Sequence, residues 1–395
     1  THDTPMLDVA VDSPAGSRFD TAGKSGLAAL THGMLDQGAG GLSDVLIAQR
    51  LADVGAVLGG VFDQDRAGVS LRSLSSARER DAAFGVLAAV LHQPEFPQAV
   101  MQRERARMLA QLRDEEANPG EIAEKAFYQA LYGNQGYGLP VSGTARGLGG
   151  LKRGDLQAWY RARYRAGDAV ISIMGALRRA GAEQFALRRA PALPQGTAAA
   201  APAPAKPMPL GQKRIAYPSS QSHVLMGEIG MARNDPDYFA LYVGNHVLGG
   251  GGFDSRILEE VRQKRGYAYS AYSYFIPMAQ PGPLLIGLQT KNAQAEDALK
   301  VARDTVAGFV AGGPSEAELA QAKNNLVGGF PLRIDSNKKI LDYLRAIGFY
   351  RLPLTYLDDW VGAVQGVTLE QIKDAFQRRV NPEGMSVVIV GGNAG

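Results

Sequence analysis

The chain has 395 residues, 45% of them hydrophobic and 21% charged, with 42 Lys and Arg against 39 Asp and Glu. That length suits two domains rather than one, a near-balanced charge without a basic run argues against nucleic acid as a partner, and no stretch reaches the roughly 18 apolar residues of a membrane span. With no Cys, disulfides, thiol nucleophiles and Cys-ligated zinc are excluded together.

In chain order, Leu7, Val9 and Val11 alternate with Asp8 and Asp12, which predicts a half-buried strand with its carboxylates on the opposite face. Helices follow over about 26–35 and 43–54, then a strand over 67–74, then helices near 77–91, 97–116 and 119–131. The segment 195–211, QGTAAAAPAPAKPMPLG, is small, Pro-rich and without apolar periodicity, and reads as a linker between domains 1–194 and 212–395. Beyond it come a strand over 213–217, a second strand around Leu225 and Ile229, and a helix with Leu299, Ala302, Val306 and Phe309 on one face. Ser315 with Glu318, and Thr368 with Gln371, are capping-box starts for two later helices.

Self-comparison shows a duplication. LKRGDLQAWYRARYRAGDAVISIMG, 151–175, lies over VTLEQIKDAFQRRVNPEGMSVVIVG, 367–391, without a gap, and pairs Tyr160 with Phe376, Arg163 with Arg379 and Gly175 with Gly391. Leu7 and Val11 lie over Leu225 and Ile229 in the same way. Separate runs of strands and helices within each copy predict an α+β fold of two homologous domains, each a mainly antiparallel sheet with helices packed on one side. The 213–217 strand has no counterpart after residue 1 in the first copy, so the natural chain is expected to extend upstream, with any export signal in that part.

The stretch LGGGGFDSRILEEVRQKRGYAYSAYSY, 248–274, carries the chemistry. Gly249, Gly250, Gly251 and Gly252 end an apolar segment, Asp254 or Ser255 caps a helix with Ile257, Leu258 and Val261 on one face, and Gly266 stops it. An aromatic strand over 267–274 follows. Arg262 falls in the last helical turn and Tyr269 on the strand, and a tight turn at Gly266 brings both toward one spot. A guanidinium and a phenol there are two hydrogen-bond donors suited to a carbonyl oxygen that gains charge under attack. The same residues have plain structural readings: a cation beside a helix C-terminus, a strand aromatic, ion pairs for Arg256 and Arg265, and a solvated face for Glu259 and Glu260. The four glycines lack the Gly-Lys-Ser/Thr of a phosphate loop.

The pattern G-G-G-G-F-x-S-R-x-x-x-E-V-R-x-K-R-G-x-A-Y-S resembles the C-terminal half of the insulinase or pitrilysin zinc peptidases, the inverzincins. The family's Arg and Tyr in R-x6-Y spacing match Arg262 and Tyr269, and the resemblance implies a peptidase-type substrate site. The glycines 249–252 resemble the glycine-rich loop of the non-catalytic subunit of mitochondrial processing peptidase, which implies close approach of substrate there. The family's H-x-x-E-H zinc motif aligns with GLAALTHGML, 26–35, where Ala29 and Gly33 replace the histidines and His32 replaces the Glu. The window for the third ligand, Leu109-Ala-Gln-Leu112, holds no carboxylate, and no two of the five histidines have ligand spacing. What the resemblance then implies is a non-catalytic subunit with no metal of its own. It would pair as a heterodimer with a homologous zinc-binding subunit, and the peptide substrate would lie between them. The alternatives are a catalytically inactive scaffold of the same fold and a peptide-binding module without hydrolysis. Periplasmic residence is expected on the resemblance, the lack of Cys and the upstream extension, with the cytoplasm as the other compartment.

Overall fold

The computed structural model describes residues 4–189, 193–196, 200, 203, 208 and 211–392. Most of the linker expected over 195–211 lies outside them. Two sheets organise the rest. The first contains β1 (Met6–Ser13), β2 (Val57–Phe62), β3 (Ala67–Leu74) and β4 (Val170–Gly175) in the order β2-β3-β1-β4, all antiparallel. The second contains β5 (Gln212–Ile215), β6 (Gln221–Ile229), β7 (Ala268–Phe275), β8 (Pro283–Lys291) and β9 (Ser386–Val390) in the order β5-β9-β6-β8-β7. Among the described strands only β5 runs parallel to its neighbour, β9. Read from the far edge inward, β7-β8-β6-β9 repeats β2-β3-β1-β4, so the duplication seen in the sequence is a duplication of sheet topology. Among the described residues β4 has no strand on its outer side corresponding to β5.

The fold is α+β in two homologous copies, with the main helical layer on one face of each sheet. In the first, Leu7, Val9 and Val11 of β1 pack with Leu30, Met34, Leu71, Phe84 and Val90. Each such side chain, fully buried, stabilises by roughly 1.5–3 kcal/mol. In the second, Phe309 and Phe376 meet edge to face at 4.8 Å, and both are fully buried. The capping boxes at Ser315/Glu318 and Thr368/Gln371 both form.

Two compact units result, and they are discontinuous in sequence. One gathers the described residues of 1–113, 134–203 and 333–353; the other gathers those of 114–133, 204–332 and 354–395. Helix Asn337–Phe349, from the second half of the sequence, therefore packs on β4 and β1 of the first unit. Helix Pro119–Tyr132, from the first half, packs on β6 and β9 of the second.

This exchange corrects the reading of β1 as half-buried. Its second face, Asp8, Ala10 and Asp12, is 4%, 0% and 0% exposed. Arg345 of the exchanged helix lies over it and forms a two-point ion pair with Asp12, Nε to Oδ2 at 2.8 Å and Nη2 to Oδ1 at 2.7 Å. Gly68, opposite Asp12 on β3, makes the room: a Cβ there would overlap Asp12 Oδ1 and lie 2.8 Å from Arg345 Nη2. A second departure is β2, which the sequence reading passed over because Gly59 and Gly60 interrupt its apolar pattern.

Candidate functional site

The segment before β7 is less regular than its apolar spacing predicts. Residues 246–250 form a π turn, Gly252–Asp254 a 3-10 turn, Arg256–Leu258 a short α turn and Glu259–Gln263 a second π turn. Ser255 holds the N-cap position, yet its hydroxyl donates to the Gly252 carbonyl at 2.8 Å instead of accepting from the helix. Gly249 is buried because its backbone rests on β7; a Cβ there would overlap Ser273 Oγ and lie 2.5 Å from the Ser273 nitrogen. Gly250 and Gly251 are half-buried against Asn245 and His246, and Gly252 is exposed with φ 67°. The first three glycines thus serve packing in this conformation, and only Gly252 faces solvent fully.

Gly266, at φ 64°, reverses the chain: its N–H donates to the Arg262 carbonyl and the Tyr267 N–H to that of Val261. Strand β7 then starts with a bulge. Ala268 pairs with Thr290 and Ala271 with Leu288, so three steps on β7 face two on β8. Regular alternation would place Tyr269 on the buried face of Ala271 and Ser273. The extra residue turns it outward, to 83% exposure.

Arg262 and Tyr269 meet. The guanidinium carbon lies 4.7 Å from the Tyr269 ring centroid and 5.2 Å from that of Phe253, so the cation is flanked by two aromatic rings. Phe253 is 69% exposed and was not singled out from the sequence; an apolar residue set between a glycine run and an acidic residue was the available signal. Among the described residues, the Arg262 nitrogens and the Tyr269 hydroxyl make no hydrogen bond or ion pair within the chain. The nearby acids are engaged elsewhere. Glu260 binds Lys264 at 2.6 Å and Arg265 at 2.5 Å. Glu318 takes Arg256 in a two-point pair at 2.6 Å, which holds its carboxyl down to about 2. One spot therefore presents two unused kinds of donor, a guanidinium and a phenol hydroxyl.

The positions aligned with the zinc motif lie on helix Leu27–Gly33 in the other unit. Ala29 carries no donor, Gly33 is exposed, and His32 stacks on Phe62 at 5.4 Å with its Nδ1 buried and unbonded. Burial pushes the His32 imidazole down to about 4; Asp12 opposes the shift and Arg345 adds to it. The ring is neutral at neutral pH. A cavity of about 340 Å³ opens beside it, lined also by Leu58, Gly60, Glu104 and Arg107. Glu104 is a carboxylate the sequence reading did not place there, but its oxygens are held by Arg107 at 2.8 Å and Arg103 at 3.1 Å. Asp36 lines the cavity as well, with Oδ1 accepting from Gln37 Nε2 at 3.0 Å. One imidazole, this carboxylate and one already occupied by two guanidiniums are not arranged as the three or four protein donors that zinc takes. No group of three or more His, Asp or Glu among the described residues is arranged to hold a metal ion, and no helix among them is long and apolar enough to cross a membrane.

Residues 1–145 match the family model described as insulinase, peptidase family M16, and residues 150–326 match the one described as the peptidase M16 inactive domain. A crystal structure described as a peptidase M16 inactive domain from Pseudomonas fluorescens is 37% identical. It superposes with a TM-score of 0.95, over 100% of this chain and 95% of that one. An uncharacterized zinc protease of Streptomyces coelicolor is 27% identical over 300 residues, which are 73% of this chain and 64% of that protein. A Helicobacter pylori protein named non-peptidase homolog YmxG is 26% identical over 98% of this chain and 90% of its own length.

Proposed function

We propose, because the chain belongs to peptidase family M16, the insulinase family, that it is the non-catalytic subunit of a two-subunit zinc peptidase. The observation that carries this is the Arg262–Tyr269 pair: a half-buried guanidinium in contact with an exposed phenol, with no partner for the side-chain donors of either among the described residues. In this reading a homologous partner holds the zinc, and the present chain contributes substrate binding and oxyanion stabilisation. A peptide runs past β7, and its scissile carbonyl oxygen accepts from the Arg262 guanidinium and the Tyr269 hydroxyl. As the carbon becomes tetrahedral the oxygen gains negative charge, so both hydrogen bonds strengthen in the transition state more than in the ground state. The match to the inactive-domain model and the poor donor set around His32 support placing the metal elsewhere.

The test uses the tagged chain alone and the complex it recovers from its source cells. The lone chain should not cleave peptides; the complex should do so in a chelator-sensitive manner. Tyr269→Phe in the complex should lower kcat by roughly 100 to 1,000-fold, the usual effect of removing one oxyanion donor, with KM little changed. Full activity in that variant would reject the assigned role. A complex that forms, hydrolyses nothing and tolerates loss of both side chains would support the scaffold reading, toward which the name of the Helicobacter pylori relative points.

A further inference from the structure

We infer that Phe253 is a positioning residue of this site: its ring, with that of Tyr269, packs against the Arg262 guanidinium and limits the directions its N–H groups take toward an oxygen acceptor. The inference rests on the reading of Arg262 and Tyr269 given above and adds a third member to it. A phenylalanine at 69% exposure gains little from burial, so its placement needs another cause. The turn carrying it is fastened at several points. The Phe253 carbonyl accepts from Gln263 Nε2 at 3.0 Å, Asp254 Oδ2 accepts from Gln321 Nε2 at 3.0 Å, and the Gly252 carbonyl accepts from the Ser255 amide at 3.1 Å and its hydroxyl at 2.8 Å. These bonds tie the turn to the two helical segments behind it and set the ring against Arg262.

A half-buried arginine without an ion-pair partner otherwise samples several rotamers, and ordering it on ligand binding costs affinity or rate. Two aromatic faces remove part of that cost in advance. They also fill part of the space around the guanidinium. The ligand chemistry that suits the guanidinium N–H groups is an oxygen acceptor, either a peptide carbonyl or a carboxylate. Phe253 itself offers an apolar flank to the residue beside the acceptor.

Two readouts separate this inference from the function it rests on. In the isolated chain, the Arg262 Nε–H resonance should be displaced by the ring currents and ordered on the nanosecond scale; Phe253→Leu should shift it and increase its motion, while Phe253→Trp should restore order. In the recovered complex, Phe253→Leu should lower kcat about fivefold, the population equivalent of one exposed cation–π contact, with KM less affected, and Phe253→Trp should recover it. Identical Arg262 resonances in the wild type and Phe253→Leu overturn the inference whatever the activity. So does wild-type kcat in Phe253→Leu when Tyr269→Phe is impaired. If instead Tyr269→Phe and Arg262→Ala leave activity intact while the resonance responds as expected, the positioning stands and the oxyanion role falls.

Discussion

Arg345→Met tests the exchange of helices between sequence halves at its most demanding contact. The Arg345 guanidinium is the charge partner of Asp12, the two are 5% and 0% exposed, and two hydrogen bonds of 2.7 and 2.8 Å join them. Methionine keeps most of the aliphatic stem but leaves the carboxylate buried without its counter-ion. Removing one member of such a pair costs about 3–5 kcal/mol, a large part of the 5–15 kcal/mol that holds an ordinary domain together. Replacing both, as Asp12→Leu with Arg345→Met, removes the orphaned charge and should return most of the loss. The assay is built into the chain: its two tryptophans, Trp159 and Trp360, lie one in each compact unit. In a Trp360→Phe background, urea unfolding followed by fluorescence reports the unit that contains β1. A second readout is local, because Arg345 is one of the charges that lower the His32 pKa. In Arg345→Met the His32 ring should titrate above its value of about 4. The reasoning is refuted if Arg345→Met unfolds within about 1 kcal/mol of the wild type, or if the double variant is no more stable than the single one.

Asp20 caps helix Leu27–Gly33, accepting from the Gly26 amide at 2.7 Å and the Ala28 amide at 3.0 Å, yet burial raises its pKa to about 7 against the pull of those amides. A carboxyl whose folded pKa is raised binds its proton more tightly when folded. Its stabilising contribution is therefore complete below about pH 4 and is lost as pH climbs to 7, by at most about 4 kcal/mol. Thermal melts should show this loss in the wild type and a flatter profile over the same window in Asp20→Asn; parallel profiles would remove the assignment. Gly249→Ala places a methyl group against Ser273 and should destabilise the second unit by about 1–3 kcal/mol, read from Trp360 fluorescence in a Trp159→Phe background. An unchanged midpoint would show that residues 246–250 yield more easily than their packing implies.

The parts legible in the sequence were those written in short-range pattern. Val9 and Val11 alternating with acids gave a strand, Ser315/Glu318 and Thr368/Gln371 gave helix starts, and the gapless self-match gave two copies of one topology. The spacing from Arg262 through Gly266 to Tyr269 indicated a shared spot, because a glycine at positive φ reverses the chain wherever it occurs. Apart from the self-match, which compares two distant stretches, each of these is set by a residue's own conformational preferences or by neighbours a few positions away.

Other features needed partners distant in the chain. Nothing near Asp12 specifies Arg345, more than 300 residues on, so β1 looked solvated on one face until helix Asn337–Phe349 covered it. The bulge that turns Tyr269 outward exists only as a mismatch of count between β7 and β8; its own alternation places that ring in the core. Phe253 becomes informative only once folding sets its ring, like that of Tyr269, against the Arg262 guanidinium. Local sequence determined which elements form and which donors are available. Long-range packing decided which faces are buried, where those donors point and what holds them there, because these depend on contacts that no local preference encodes.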